Sequence, residues 1–195
     1  CIELGVGGVV PCGTTGEFVN MTTEEKQKVI DIVIDAANGK VKVVAGTGAS
    51  GTDQALQMTK YAKDAGADAA LIVTPYYLKP ADRGIYEHYD TIASQVDLPI
   101  ILYNIPQATG LSLPWQMVED LAQIPNIVGV KDSSGQLSFI LAVLEKVRDK
   151  INVLCGHDEV VVAALAAGCS GAILASANVI PDIWVQVHNA IQKGD

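Results

Sequence analysis

A regular alternation of short β-branched runs with longer helical segments is the feature that most constrains the fold of this chain. The runs are apolar on both faces, as expected of parallel strands that helices cover. Their centres lie roughly 20 to 35 residues apart, near the ~31 residues per unit of an eight-unit parallel barrel. The alternation therefore predicts an α/β fold of the (β/α)8 TIM-barrel class, with seven strands at 7–11, 41–45, 69–74, 99–104, 127–131, 152–155 and 171–175.

Helical periodicity fills the segments between these runs. Thr22 and Glu25 have capping-box spacing, so their side chains can satisfy free backbone N–H groups at a helix start. Because no linker, charge block or low-complexity stretch interrupts the pattern, we expect a single barrel domain over residues 1–195. No eighth strand is found, and residues 1–5 have the pattern of a helix end. We therefore expect the chain to lack the first strand of the barrel.

Composition and charge exclude several classes of partner. Hydrophobic residues make up 49% of the chain and charged residues 18%, which is typical of a compact folded domain. The net charge of −9 disfavours binding to nucleic acid, whose phosphate backbone carries the same sign. The longest apolar run, 160–167, is far shorter than the roughly 20 residues that a membrane span needs, so no membrane partner is expected.

The placement of the cysteines indicates the redox state of the cellular compartment. The four of them form no CxxC pair and lie mostly in apolar surroundings, at Cys1, Cys12, Cys155 and Cys169. This placement favours buried free thiols over a disulfide framework or a zinc site. Because free thiols persist under reducing conditions, we expect a cytoplasmic protein.

Lys131 is the most informative single residue, because it ends the apolar run 127–131. Alternation along a strand places Ile127, Gly129 and Lys131 on one face, which is the barrel interior if that face is the inner one. Burial there favours the neutral amine, which can attack a ketone and form a Schiff base. The alternative is an ordinary strand-end lysine whose ammonium group reaches solvent.

Other polar residues also follow the predicted strands, where barrel active sites lie. The segment 13–16, with Thr14 and Thr15, offers backbone N–H groups and hydroxyls for a carboxylate or phosphate, or forms an ordinary turn. Tyr77 and Tyr103 carry phenols that are either functional or packed aromatics. The segment 156–159 contains His, Asp and Glu, but consecutive residues rarely face one ion, so no metal site is predicted.

Taken together, these loops resemble the dihydrodipicolinate synthase / N-acetylneuraminate lyase family, the pyruvate-dependent class I aldolases. The resemblance spans essentially the whole chain and rests on several motifs in order: GTTGE at 13–17, VTPYY at 73–77, YNIPQATG at 103–110, GVKDSSG at 129–135 and GAI at 171–173. It implies a TIM barrel with an opening strand and a C-terminal helical extension, and we expect both to be missing from these 195 residues.

The resemblance also implies roles for individual residues. Lys131 would form the imine with pyruvate, and Tyr103 would be the general acid and base beside it. Thr14 would relay protons between Tyr103 and Tyr77, with Tyr77 crossing a dimer interface to serve the site of the neighbouring subunit. The substrate-binding residues would be Thr14 and Thr15, which hold the pyruvate carboxylate, and Gly156 and Ile173, which line the pocket.

The activity that the resemblance implies is condensation of pyruvate with aspartate semialdehyde by a homodimer or homotetramer, without a metal or organic cofactor. One residue departs from that pattern. Synthases usually have an arginine where this chain has Ala108, and that arginine meets the carboxylate of the second substrate. The alternative is therefore a 2-keto-3-deoxy-sugar-acid aldolase, and a third possibility from another class is a non-catalytic oligomeric member of the family.

Overall fold

The computed structural model describes residues 2–194 as a curved parallel sheet with helices packed against it. The strands pair in chain order, each parallel to the next, and within these residues β1 and β7 each have one neighbour. Their bounds are β1 Gly8–Val9, β2 Lys42–Gly46, β3 Ala69–Val73, β4 Ile100–Asn104, β5 Ile127–Asp132, β6 Asn152–Cys155 and β7 Gly171–Ala172.

All seven predicted strands are present, but β1 and β7 are shorter than predicted, with two residues each. Pro11 has no backbone N–H to donate to a ladder, which is consistent with the early end of β1. One backbone hydrogen bond still continues this edge, from Gly46 N to Pro11 O at 2.9 Å. The parallel order of the strands confirms the predicted α/β class.

Between residues 2 and 194, seven α-helices lie between the strands and an eighth follows β7, and three short 3-10 turns lie at Ile2–Leu4, Phe18–Asn20 and Ser176–Asn178. The predicted capping box is confirmed at the start of the first helix: Glu25 N donates to Thr22 Oγ1 at 3.2 Å, and Thr22 N donates to Glu25 Oε2 at 2.8 Å. The helices are α1 Thr23–Ala37, α2 Thr52–Ala65, α3 Asp82–Gln95, α4 Pro106–Thr109, α5 Trp115–Leu121, α6 Leu137–Val147, α7 Val161–Ala166 and α8 Pro181–Lys193.

The core lies around β3 and β4, which are buried along their whole length. Such burial on both faces explains why these strands are continuous apolar runs. The helix α3 covers them with Ile85, Tyr89 and Ile92, and Tyr89 donates its hydroxyl to the Ile72 carbonyl at 3.0 Å. None of the helices between residues 2 and 194 combines the length and the hydropathy that crossing a bilayer requires.

A register shift interrupts the pairing of β4 with β5. Ile100 pairs with Ile127, but Ile101 pairs with Gly129, so Val128 is left without a partner on β4. Beyond this bulge the pairing is regular, and it sets Tyr103 beside Lys131 and Asn104 beside Asp132. The carbonyl of Val128 instead accepts a hydrogen bond from Asn152 Nδ2 at 3.3 Å.

The prediction of free, buried thiols is confirmed for Cys12, Cys155 and Cys169, while Cys1 lies outside the described residues. Burial raises the pKa of all three thiols, to about 12 for Cys169. The thiolate is the reactive form, so these side chains act as small core residues.

His88 is a buried histidine that links α3 to α2. Its side chain is almost fully buried, and Nδ1 lies 3.0 Å from Thr52 Oγ1, while Nε2 has no hydrogen-bond partner within residues 2–194. Burial lowers the pKa of His88 from 6.5 to about 4. The folded chain therefore holds this imidazole neutral at pH values where the unfolded chain protonates it.

Replacement of His88 by glutamine should reduce the acid sensitivity of the fold. Between pH 6.5 and pH 4 the unfolded state binds the additional proton, so stability falls as the pH falls. At pH 4.5 this linkage costs about 2–3 kcal/mol of unfolding free energy in the wild type, and His88→Gln removes it. Urea unfolding of both proteins at pH 7.5 and pH 4.5 measures the difference, and equal pH dependence in the two proteins would contradict the assignment.

Candidate active site

Lys131 and Tyr103 lie side by side at the carboxyl ends of β5 and β4. Lys131 Nζ is 4.0 Å from the centroid of the Tyr103 ring, and the two residues are only 8% and 4% exposed. The interpretation of Lys131 as a lysine that reaches solvent is therefore wrong. Within residues 2–194 no carboxylate lies at ion-pair distance from Nζ. An amine over an aromatic face, without a counter-ion, is available to a ligand in the adjoining cavity.

The hydroxyl of Tyr103 reaches the loop between β1 and α1. Tyr103 Oη and Thr14 Oγ1 are 3.3 Å apart, and either oxygen can donate. Close backbone packing holds this loop, because a Cβ at Gly46 would collide with the carbonyl oxygen of Cys12. The structure therefore brings a phenol and an aliphatic hydroxyl into contact beside the amine, an arrangement in which a proton can move between positioned oxygens.

A cavity of about 230 Å³ opens above this pair. It contains every predicted site residue except Tyr77, together with several residues that the sequence did not indicate. Its lining consists of Thr14, Thr15, Tyr103, Ile105, Gln107, Lys131, Ser133, Gly156, His157, Ile173 and Ala175. The volume suits a small ligand bound through a few polar groups.

Gly156 leaves the space that the lysine side chain occupies. A Cβ at this position would overlap Ser133 Oγ and would lie 2.6 Å from Lys131 Cε. Its backbone is held by a hydrogen bond from Gly156 N to the Asp132 carbonyl at 2.7 Å. Ile173 closes the same side of the cavity, where its N–H donates to the Cys155 carbonyl at 2.9 Å. Both predicted lining residues are thus fixed by the sheet.

Tyr77 lies away from the cavity of its own chain. It is 90% exposed in the loop between β3 and α3, and its backbone has the left-handed φ of 73°. A side chain other than glycine costs about 1 kcal/mol or more in this conformation. Its neighbour Tyr76 turns inward instead, and packs edge-on against Phe18 with ring centroids 6.1 Å apart. The predicted contact of Tyr77 with a second subunit stays a prediction.

Three polar residues of the cavity were not predicted. Gln107 Nε2 donates to the Ser133 carbonyl at 2.9 Å and so ties the loop after β4 to the loop after β5. Ser133 Oγ donates to the Gly156 carbonyl at 3.0 Å. His157 follows Gly156, and its buried Nδ1 has no partner within residues 2–194. Their positions after strands, where barrel loops converge, are the signal that could have indicated them.

The alanine at position 108 lies on the exposed side of α4, and the lining of the cavity contains no arginine. Within residues 2–194 no group of three or more His, Cys, Asp or Glu side chains is placed to hold a metal ion. Asp158, the first of the two acids in the segment 156–159, accepts a hydrogen bond from Ser176 Oγ. The same oxygen accepts from Trp184 Nε1 at 2.7 Å. This acid is thus part of the packing between loops.

Comparison with known proteins gives a consistent result. The sequence model of the Dihydrodipicolinate synthetase family matches residues 1–195. A protein of Methanothrix thermoacetophila named 4-hydroxy-tetrahydrodipicolinate synthase is 45% identical, over 99% of this chain and 65% of the relative. A protein of the same name in Thermodesulfovibrio yellowstonii is 44% identical, over 100% of this chain and 67% of the relative. The chain thus spans about two thirds of the length of the curated relatives it matches.

Solved structures agree with this match. A dihydrodipicolinate synthase from Acinetobacter baumannii, complexed with pyruvate, superposes with a TM-score of 0.97 at 43% identity, over 100% of this chain and 67% of that one. YagE from E. coli K12 is a prophage protein of the dihydrodipicolinic acid synthase family, solved in complex with pyruvate. It superposes with a TM-score of 0.96 at 32% identity, over 100% of this chain and 66% of that one. The TIM-barrel class is thereby confirmed, and the match over all 195 residues shows that the chain belongs to the dihydrodipicolinate synthetase family.

Proposed function

We propose that the protein is a Schiff-base-forming lyase that condenses pyruvate with aspartate semialdehyde, the reaction of a 4-hydroxy-tetrahydrodipicolinate synthase. The observation that carries this proposal is the buried amine of Lys131, 4.0 Å from the Tyr103 ring and open to a cavity of about 230 Å³. Relatives bearing that name, at 42–45% identity over nearly the whole chain, support it. Because the chain spans about two thirds of their length, the activity proposed is that of the whole protein.

Lys131 acts as the nucleophile. Its Nζ attacks the ketone carbon of pyruvate, water leaves, and the resulting imine serves as an electron sink. Loss of a methyl proton then gives an enamine, whose carbon attacks the aldehyde of the second substrate. Tyr103 moves the protons of these steps, since its hydroxyl lies at the cavity and contacts Thr14 Oγ1. We propose no metal or organic cofactor, because the imine itself stabilises the developing carbanion.

The pyruvate carboxylate binds at Thr14 and Thr15. Both residues line the cavity with Lys131, and their backbone N–H groups make no hydrogen bond within residues 2–194. Such free donors, with two hydroxyls beside them, can bind an anion locally even in a protein with a net charge of −9. Gly156 and Ile173 line the same cavity.

Self-association completes the site in this proposal, as a homodimer or homotetramer in which Tyr77 serves the neighbouring subunit. Tyr77 and Leu78 are 90% and 78% exposed at the tip of one loop, and an apolar pair of this kind is suited to burial against another subunit. A dihydrodipicolinate synthase variant described as monomeric is 31% identical to this chain, so oligomeric state differs among relatives. The buried free thiols support the proposed cytoplasmic location.

A second candidate is cleavage or synthesis of a 2-keto-3-deoxy sugar acid. The absence of arginine from the cavity lining, with alanine at position 108, favours an acceptor aldehyde that carries hydroxyl groups rather than a carboxylate. The pyruvate half of the reaction is the same for both candidates. A non-catalytic role is less well supported, since the contact between Lys131, Tyr103 and Thr14 has no evident structural purpose.

Borohydride reduction in the presence of pyruvate should leave a covalent adduct on Lys131, because the reduced imine cannot hydrolyse. Peptide mass spectrometry of the whole protein locates the adduct. We expect it in the wild type and in Lys150→Arg, a control at an exposed position in the turn after α6, and not in Lys131→Arg. Absence of the adduct from a folded wild-type sample would exclude the Schiff-base mechanism.

The acceptor can be assigned by comparing kcat/KM for aspartate semialdehyde with kcat/KM for a 2-keto-3-deoxy sugar acid. We expect the semialdehyde to be preferred, and Ala108→Arg to improve that preference further by about tenfold, since it supplies a cation for the substrate carboxylate. Preference for the sugar acid in the wild type, reduced in Ala108→Arg, would assign the second candidate instead.

Gly156→Ala should slow formation of the pyruvate adduct by about tenfold or more, because the new Cβ displaces Lys131 Cε. The rate of adduct formation is followed by mass spectrometry after timed reduction. Gly7→Ala is the matched control, since a Cβ at Gly7 meets no atom within 4 Å. Equal rates in the two variants would show that the close contact at Gly156 does not position the lysine.

A further inference from the structure

A buried polar pair lies directly behind the amine and the phenol. Asn104 follows Tyr103 in β4, and Asp132 follows Lys131 in β5, so their side chains point to the opposite face of the sheet. The two residues are paired across the strands and are 0% and 1% exposed. A carboxylate buried this deeply is costly unless its oxygens are satisfied, so its hydrogen bonds explain how the site tolerates it.

Each polar atom of the pair has a partner. Asp132 Oδ1 accepts from Asn104 Nδ2 at 2.6 Å, and Oδ2 accepts from Ser134 Oγ at 2.8 Å and from Ser134 N at 3.3 Å. Asn104 Oδ1 accepts from Leu113 N at 3.0 Å. Burial raises the pKa of Asp132, while the hydrogen bonds from Ser134 and Asn104 act in the opposite direction.

The pair connects the segments that carry the site. Through Asn104 it holds Leu113, in the segment between α4 and α5, and through Asp132 it holds Ser134 in the loop after β5. The backbones of the same residues add two bonds, from Ser133 N to the Asn104 carbonyl at 2.8 Å and from Gly156 N to the Asp132 carbonyl at 2.7 Å. These hydrogen bonds thus link the carboxyl ends of three consecutive strands, β4, β5 and β6.

We propose that Asn104 and Asp132 are positioning residues for the pyruvate chemistry, which fix the β4 and β5 ends so that Lys131 Nζ stays against the Tyr103 ring. This inference rests on the proposed function, because it concerns the use of Lys131 and Tyr103 in imine chemistry. Neither residue of the pair lines the cavity, so they act through the backbone. Displacements of about 1 Å in such a geometry can cost on the order of a hundredfold in rate.

The pattern of donors and acceptors gives a test that separates geometry from stability. The Ser134 backbone N–H can only donate, and Asn104 Nδ2 faces the carboxylate because Asn104 Oδ1 accepts from Leu113 N. In either orientation of the amide of Asp132→Asn, its NH2 faces one of these two donors, so one hydrogen bond is lost. In the double variant Asn104→Asp with Asp132→Asn the roles are exchanged. The new carboxylate accepts from Leu113 N and from the amide at 132, while that amide oxygen accepts from Ser134. All the bonds are restored.

The readout is exchange of the pyruvate methyl protons with D2O, followed by NMR in the whole protein without any acceptor. Exchange requires both imine formation at Lys131 and proton transfer, which we assign to Tyr103. At saturating pyruvate we expect the rate to fall by about tenfold or more in Asp132→Asn and to return to within about threefold of wild type in the double variant. The KM for pyruvate should stay within about threefold, because Thr14 and Thr15 hold the carboxylate.

The inference is overturned if folded Asp132→Asn exchanges at the wild-type rate, or if the folded double variant is no faster than the single one. Urea unfolding of each variant establishes that it is folded. Should Asp132→Asn not fold, Ser134→Ala replaces it, since it removes one of the three donors, and an unchanged rate there overturns the inference. Absence of both exchange and borohydride adduct in the wild type would refute the proposed function, and the inference with it.

Discussion

Parallel pairing decides which residues of β4 and β5 lie side by side, and the bulge at Val128 shifts that pairing by one residue. Without the shift, Tyr103 would pair with Val130, and Lys131 would pair with Asn104. The contact between the amine and the phenol therefore depends on one unpaired residue near the start of β5, three positions before Lys131. Because a one-residue change of register alters every neighbour along a strand, this bulge determines the chemistry available at the strand ends.

Much of the fold could be predicted because buried parallel strands require mostly apolar runs, and β3 and β4, which are buried along their whole length, are such runs. Thr22 and Glu25 identified a helix start because a capping box depends on local spacing alone. Lys131 could be identified because a charged residue that ends an apolar strand is unusual. The short extent of β1 and β7 could not be predicted, since the length of a ladder depends on its neighbours.

The residues that sequence reasoning missed depend on contacts between distant segments. Asn104 and Asp132 are 28 positions apart, and their hydrogen bond exists only because of the register that the bulge creates. His157 and Gln107 enter the cavity because loops after neighbouring strands converge, and neither residue has a local pattern that reveals it. Tyr77 is the converse case: its motif was evident, but its exposure in this chain could be seen only in the structure.

The glycines at the strand ends limit how this site can diverge. A side chain at Gly46 or Gly156 would enter space that the Cys12 carbonyl or the lysine already fills, so even alanine disturbs the backbone around the amine. Position 108 in α4 carries no such restriction, because the side chain of Ala108 is exposed. Under the proposed function, mutation at such positions can change the acceptor aldehyde while the residues assigned to pyruvate stay unchanged, which would suit the scaffold to the evolution of new aldol specificities.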